Sequence, residues 1–170
     1  MLKGREIKKA FYGVPSAEGE VTFTRMKYFT DLSISKNPKE YTRRYVDEKT
    51  ERSDVVGYAP SISYSFDEYS DDLVLADIVN ISDKEMVGTD THRDIILVDF
   101  SKEVSGGYQA IKRTFAIIPD SEGNSVDAYT YSGNLKSVGE VVAGVATIVT
   151  PEGATPQEVL TISFKEETEE

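Results

Sequence analysis

Apolar and polar positions alternate along most of this chain, and the alternation predicts strands. In SISYSF, Ile62, Tyr64 and Phe66 face one way while Ser61, Ser63 and Ser65 face the other, the period of two expected of a half-buried strand. Met26, Tyr28, Leu32 and Ile34 alternate in the same manner across Met26–Ser35, and Leu160, Ile162 and Phe164 do so near the end of the chain. Ile95 to Phe100, inside DIILVDF, is apolar on both faces, which predicts a central strand covered on both sides. Ile111, Phe115 and Ile117 share a face between Tyr108 and Ile118, and the turn-rich PDSEGNS then leads to a second strand at DAYTYS. GEVVAGVATIV and QEVLTISF flank TPEGATP, whose prolines and glycine cannot continue a ladder, so a final hairpin is expected.

One segment keeps helical spacing, from about 71 to 87. Val74, Leu75, Ile78, Val79 and Met86 form a stripe opposite Asp77, Asn80 and Lys84. Ser70 is placed to cap the first turn, Asp71 and Asp72 suit the positive end of the helix dipole, and Gly88 stands where a left-handed cap would end the helix. Val74, Leu75, Ile78 and Val79 are therefore the expected packing core of the helix. One helix among about seven or eight strands predicts a mainly β fold, a sandwich or barrel with the helix laid across one face. A single domain over residues 1–170 suits this length, with the acidic end, about 165–170, frayed.

The segment 36–54, KNPKEYTRRYVDEKTERSD, is dense in both charge signs and poor in core residues. It reads as a long projecting loop or hairpin, and such segments are functional or mobile. Tyr41, Arg43, Arg44 and Tyr45 favour a partner-binding role, because Tyr and Arg are enriched at protein interfaces.

Composition narrows the chemistry. The chain has no cysteine, which rules out disulfides, thiolate metal sites and cysteine nucleophiles. A formal charge of −11 argues against binding nucleic acid over a broad surface. The longest apolar stretches, such as Val141–Val149, are too short for a spanning helix, and the basic start MLKGREIKKAF lacks the apolar run of a secretory signal; synthesis in the cytoplasm is expected.

His92 is the single histidine and cannot assemble a metal cluster alone; it reads as an ordinary exposed residue at a strand start, with a general-base role beside Asp90 or Asp94 as the sharper option. Phosphate-loop, dinucleotide, nucleophile-elbow and zinc-helix motifs are missing. Asp67 with Glu68 would point to opposite faces of a strand, Asp71 and Asp72 serve the helix dipole, and DSEGNSVD from Asp120 lacks the ligand order of a calcium loop. The residues imply no catalytic, cofactor or metal site.

The run SDVVGYAPSISYSFDEYSDD from Ser53, followed by the helix and RDIILVDF, resembles the major tail tube proteins of long-tailed bacteriophages and related prophages. GYQAIKRTFAIIPDSEGNSVDAYTYSGNLKSVGE resembles them too, so the similarity covers about Ser53–Glu140. It rests on ordered blocks and on the succession of strands and helix, without a catalytic signature.

The resemblance implies a β sandwich with a flanking helix, six copies in a ring, and rings stacked into a tube, with the 36–54 segment reaching a neighbouring subunit or ring. It also implies a tape measure protein in the lumen, a terminator and distal tail proteins at the ends, and DNA passing through without specific binding. Two rival readings accompany it. A carboxylate-dependent hydrolase would act as a monomer through a polar pocket, and a non-polymerising decoration or carbohydrate-binding domain would show an aromatic platform, which the absence of tryptophan disfavours.

Overall fold

The structure, a computed structural model, describes residues 1–167. The chain lays down β1 (Lys8–Pro15), β2 (Val21–Arg25), β3 (Phe29–Ser35), β4 (Pro38–Arg43), β5 (Arg52–Tyr58) and β6 (Ser61–Asp67) before its helix α1 (Leu73–Asp83). β7 (His92–Val104), β8 (Gly107–Glu122), β9 (Thr130–Ser137), β10 (Val142–Thr150) and β11 (Thr161–Glu166) follow. The fold is mainly β, as the alternation predicts, with a closed six-strand antiparallel barrel and one helix.

The barrel closes because β8 is long enough to change partners. Its Tyr108–Lys112 half pairs with β10 and its Phe115–Glu122 half with β9, while β7 follows it along the other edge. The ring therefore runs β1, β7, β8, β10, β11, β2 and back to β1, and a branch of β9, β6 and β3 leaves the barrel wall.

Period-two alternation on the shared strands feeds two cores. Phe11, Ile96, Val98, Ala110 and Ile162 are buried inside the barrel with Phe23, Phe100 and Phe164 packed around them. Alternate residues on the same strands, Ala10, Tyr12, Ile95 and Leu97, join Ile62, Tyr64, Phe66, Ile117 and Leu135 in the layer under α1. DIILVDF is thus covered on both faces, and each large side chain so buried contributes about 1.5–3 kcal/mol.

Several boundaries differ from the sequence expectation. Eleven strands are present among the described residues. β1 escapes an alternation test because Phe11 and Tyr12 are both fully buried, one into each core. β3 begins at Phe29, not Met26, since Tyr28 takes the left-handed region at φ 70° and breaks the extended run. The turn expected from Pro119 starts later: Pro119–Glu122 belong to β8, with a register shift between Pro119 and Ser121, and β9 opens at Thr130. At the C-terminus, Lys165 and Glu166 lie in β11 and Glu167 donates its N–H to the Ala143 carbonyl at 3.0 Å. The rest of the tail expected to fray lies outside the described residues.

The helix is shorter than 71–87 at both ends. Asp72, not Ser70, caps it: its backbone is extended and its Oδ1 accepts the Leu75 N–H at 3.1 Å. At the other end Met86 donates to the Ile81 carbonyl and Glu85 to that of Ser82, the paired bonds of a Schellman stop. The left-handed residue is Glu85, at φ 49°, so Gly88 opens the following 3-10 turn instead. Val74, Leu75 and Ile78 are fully buried and Val79 half-buried; Ile81, outside the predicted stripe, is fully buried too.

A polar clasp fixes the helix to the barrel. Tyr12 on β1 donates its hydroxyl to Asp77 Oδ2, and Arg93 on β7 donates to both Asp77 oxygens at 2.9 and 3.3 Å. Burial first, and then the Asp77 carboxylate, push the Tyr12 hydroxyl well above its ordinary pKa. The folded state therefore holds this proton more tightly than the unfolded chain, whose tyrosines titrate near pH 10. The stability this supplies is complete below about pH 10 and drains away as pH rises further. Tyr12→Phe should cost about 1.5–3 kcal/mol at pH 7, where a hydrogen bond to a charged group is lost. Urea melts at pH 7 and pH 11 should show the gap to the unmutated protein narrowing at the higher pH; a constant gap would contradict this account.

Candidate assembly surfaces

β4 and β5 form a two-stranded sheet of their own, unpaired with the barrel or its branch. Of the loop or hairpin expected over 36–54, the structure has the hairpin, spanning Pro38–Tyr58, and every β4 residue is exposed. Its strands were obscured in the sequence because neither face is apolar enough to alternate. An isolated two-stranded hairpin is marginal in water, so its internal contacts need identifying.

The hairpin is held by stacked cations. Arg43 and Arg52 oppose one another across the two strands, an unfavourable pairing of like charges. Tyr45 lies between them: the Arg43 guanidinium is 5.0 Å from its ring centre and that of Arg52 is 5.8 Å away. Arg43 also sits 5.0 Å from the Tyr41 ring. Arg52 is further neutralised by a two-pronged contact with Glu48, at 3.0 and 2.7 Å. Each such stack at an exposed site contributes about 0.5–1 kcal/mol.

The structure thus brings Tyr41, Arg43 and Tyr45 together and adds Arg52 and Glu48, which sequence reasoning did not single out. Opposite-charge spacing around a turn was the available signal. Arg44 falls just beyond β4 and lies outside the stack. The tip also presents Val46 fully to solvent, with Val55, Val56 and Tyr58 exposed along β5.

The base of the hairpin is pinned separately. Asn37 donates its side-chain amide to the Ala59 carbonyl at 3.1 Å and to Ser61 Oγ at 3.2 Å, and Ala59 N–H returns to the Asn37 carbonyl. The two ends of the excursion therefore meet before β6 begins.

The other singled-out residues are dispersed. His92 opens β7 as expected but is half-buried, not exposed, and its carbonyl accepts a 2.8 Å bond from Arg93. Asp67 closes β6 opposite Thr130, Asp71 precedes the helix and Asp72 caps it, and Asp120 lies on β8. Among the described residues, no three His, Asp or Glu side chains gather as a metal-binding group. No described helix is long and apolar enough to cross a membrane. No protein-family model matches the chain, and no curated protein matches it.

Proposed function

We propose that this chain is a structural subunit that forms six-membered rings stacked into a phage tail tube, a conduit for DNA leaving the virion. The observation that carries the reading is the β4–β5 hairpin. It is ordered by its own Tyr–Arg stack, pinned at its base, and directs Val46, Val55, Val56 and Tyr58 into solvent from an isolated subunit. Exposed aromatic, arginine and valine side chains on a preorganised arm suit burial against a protein partner. The resemblance of the 53–140 blocks to tail tube proteins supports a neighbouring copy as that partner.

Passage of DNA fits the same picture. With a net charge of −11 per copy, a wall carrying a share of these carboxylates repels phosphates and offers few lysines to hold them. In this reading a tape measure protein fills the lumen before DNA enters, a terminator and distal tail proteins bound the tube, and the chain acts in the virion without catalysing a reaction.

The absence of cysteine makes a clean test available. An environment-sensitive fluorophore on Val46→Cys should report a polar surrounding at low concentration and a buried one as the protein is concentrated into polymer. A signal that stays polar in sedimented polymer would remove the hairpin from the joint.

A further inference from the structure

The two ends of the branch sheet differ in charge and shape. At the end where β6 begins, two adjoining hollows of about 470 and 520 Å³ share Ile34, Ile62 and Leu97 as common lining. Together they form an apolar trench between β3 and the barrel wall. Lys3, Arg5, Lys8, Lys36 and Arg113 line it, and no carboxylate does. In a chain of net charge −11 this is an unusual concentration of cations. Lys3 is engaged with Asp99, and Arg5 with two backbone carbonyls. Among the described residues, Lys8, Lys36 and Arg113 have no carboxylate in an ion pair, and Arg113 Nε is buried with no hydrogen-bond partner.

The opposite end of the sheet lies five residues further along β6, roughly 17 Å at about 3.4 Å per residue. There Asp67 and Glu68 follow β6, Asp120 and Glu122 close β8, and Asp127 stands in the loop that leads to β9. No Lys or Arg occurs between Phe66 and Asp83 or between Thr114 and Leu135. Burial first, and then the carboxylates of Glu68, Asp83 and Glu122, raise the Tyr131 hydroxyl above its ordinary pKa.

The 123–129 loop is tied down at its base by Gly123 N–H to the Thr130 carbonyl and Glu68 N–H to the Tyr129 carbonyl, at 2.8 and 2.9 Å. It holds Val126 fully exposed and Tyr129 half exposed beside Asp127. This fixed knob, with its apolar side chains, Asp127 and the adjoining Glu122 at the end of β8, is the complement of an apolar trench bearing unpaired cations.

We infer that the cation-rimmed trench of one subunit receives the 123–129 knob of a second copy, with its Asp127 and the adjoining Glu122, in a head-to-tail contact. Because trench and knob lie at opposite ends of one sheet, each subunit offers both halves, and the contact repeats without closing on itself unless a rotation brings it round. This deepens the tube reading and rests on it for the final architecture; the hairpin supplies a separate contact. The contact buries Val126, which is fully exposed in the single subunit.

Charge reversal tests the pairing. Lys8→Glu with Lys36→Glu reverses the trench rim, and Glu122→Lys with Asp127→Lys reverses the knob; all four positions are exposed. Each double variant should melt like the parent yet need at least about tenfold higher concentration to associate. The chain carrying all four changes should recover association, and an equimolar mixture of the two double variants should recover it too, as one-to-one alternating oligomers by sedimentation.

Parent-like association of both double variants, or no recovery in the fourfold variant while it melts normally, would overturn the inference. Tubes from the parent and from both double variants would overturn the trench contact while leaving the tube reading standing. Charge-dependent finite oligomers with no tubes would do the reverse. A parent that stays monomeric at every concentration would overturn the self-contact.

Discussion

Ile78→Asp should unfold the subunit, whereas Leu73→Asp on the same helix should scarcely disturb it. Ile78, on the inner face of α1, is fully buried against the layer that includes Tyr12, Ile95 and Ile117. The change forfeits its burial and places a carboxylate where no partner reaches it. The cost, about 5 kcal/mol or more, approaches the whole stability of a domain, about 5–15 kcal/mol. Leu73, at the first helical position, is 66% exposed, and an acid there favours the helix dipole, so the expected change is within about 0.5 kcal/mol. Circular dichroism with thermal melts reads both. A cooperative melt for Ile78→Asp near the parent midpoint would show that α1 is not needed to hold the sheet.

Excising the hairpin should have the opposite pattern, leaving the fold and removing assembly. Pro38 and Tyr58 face one another across the hairpin base, and Asn37 is bonded to Ala59 just beneath. A two-residue Asn-Gly turn joining Pro38 to Tyr58 in place of 39–57 therefore suits the geometry already present. A shorter closed loop costs less chain entropy, so the melt should stay within about 1 kcal/mol of the parent. Polymer, in contrast, should be absent from the sedimented fraction at concentrations where the parent forms it. Normal polymer from the excised chain would place the joint elsewhere.

Sequence legibility followed the number of faces each element buries. SISYSF reads cleanly because Ile62, Tyr64 and Phe66 are buried while the serines between them are less so, and DIILVDF because both its faces meet cores. β1 was illegible for the related reason that Ala10, Phe11 and Tyr12 are buried in succession beside a basic start that reads as surface. Pattern predicted a sandwich or barrel and left the choice open, since closure depends on β8 exchanging β10 for β9 midway, and nothing in the order of apolar residues encodes that exchange.

The same logic applies to the surfaces. Tyr41, Arg43 and Tyr45 stood out by residue type, yet the opposed Arg43 and Arg52 and their shared Tyr45 required the strand register. The stop at Glu85 was misplaced onto Gly88 because residue type favours glycine for a left-handed cap, while the bonds from Glu85 and Met86 end the helix three residues earlier. The trench was wholly hidden, because Lys8, Lys36 and Arg113 come from β1, the β3–β4 link and β8.

Electron microscopy of the purified chain, concentrated stepwise at low and moderate salt, tests the central claim most directly. The account predicts six-fold rings in end views and stacked tubes of uniform width in side views, with subunits repeating head to tail. Monodisperse single subunits at every concentration and salt, from protein that melts cooperatively, would contradict it.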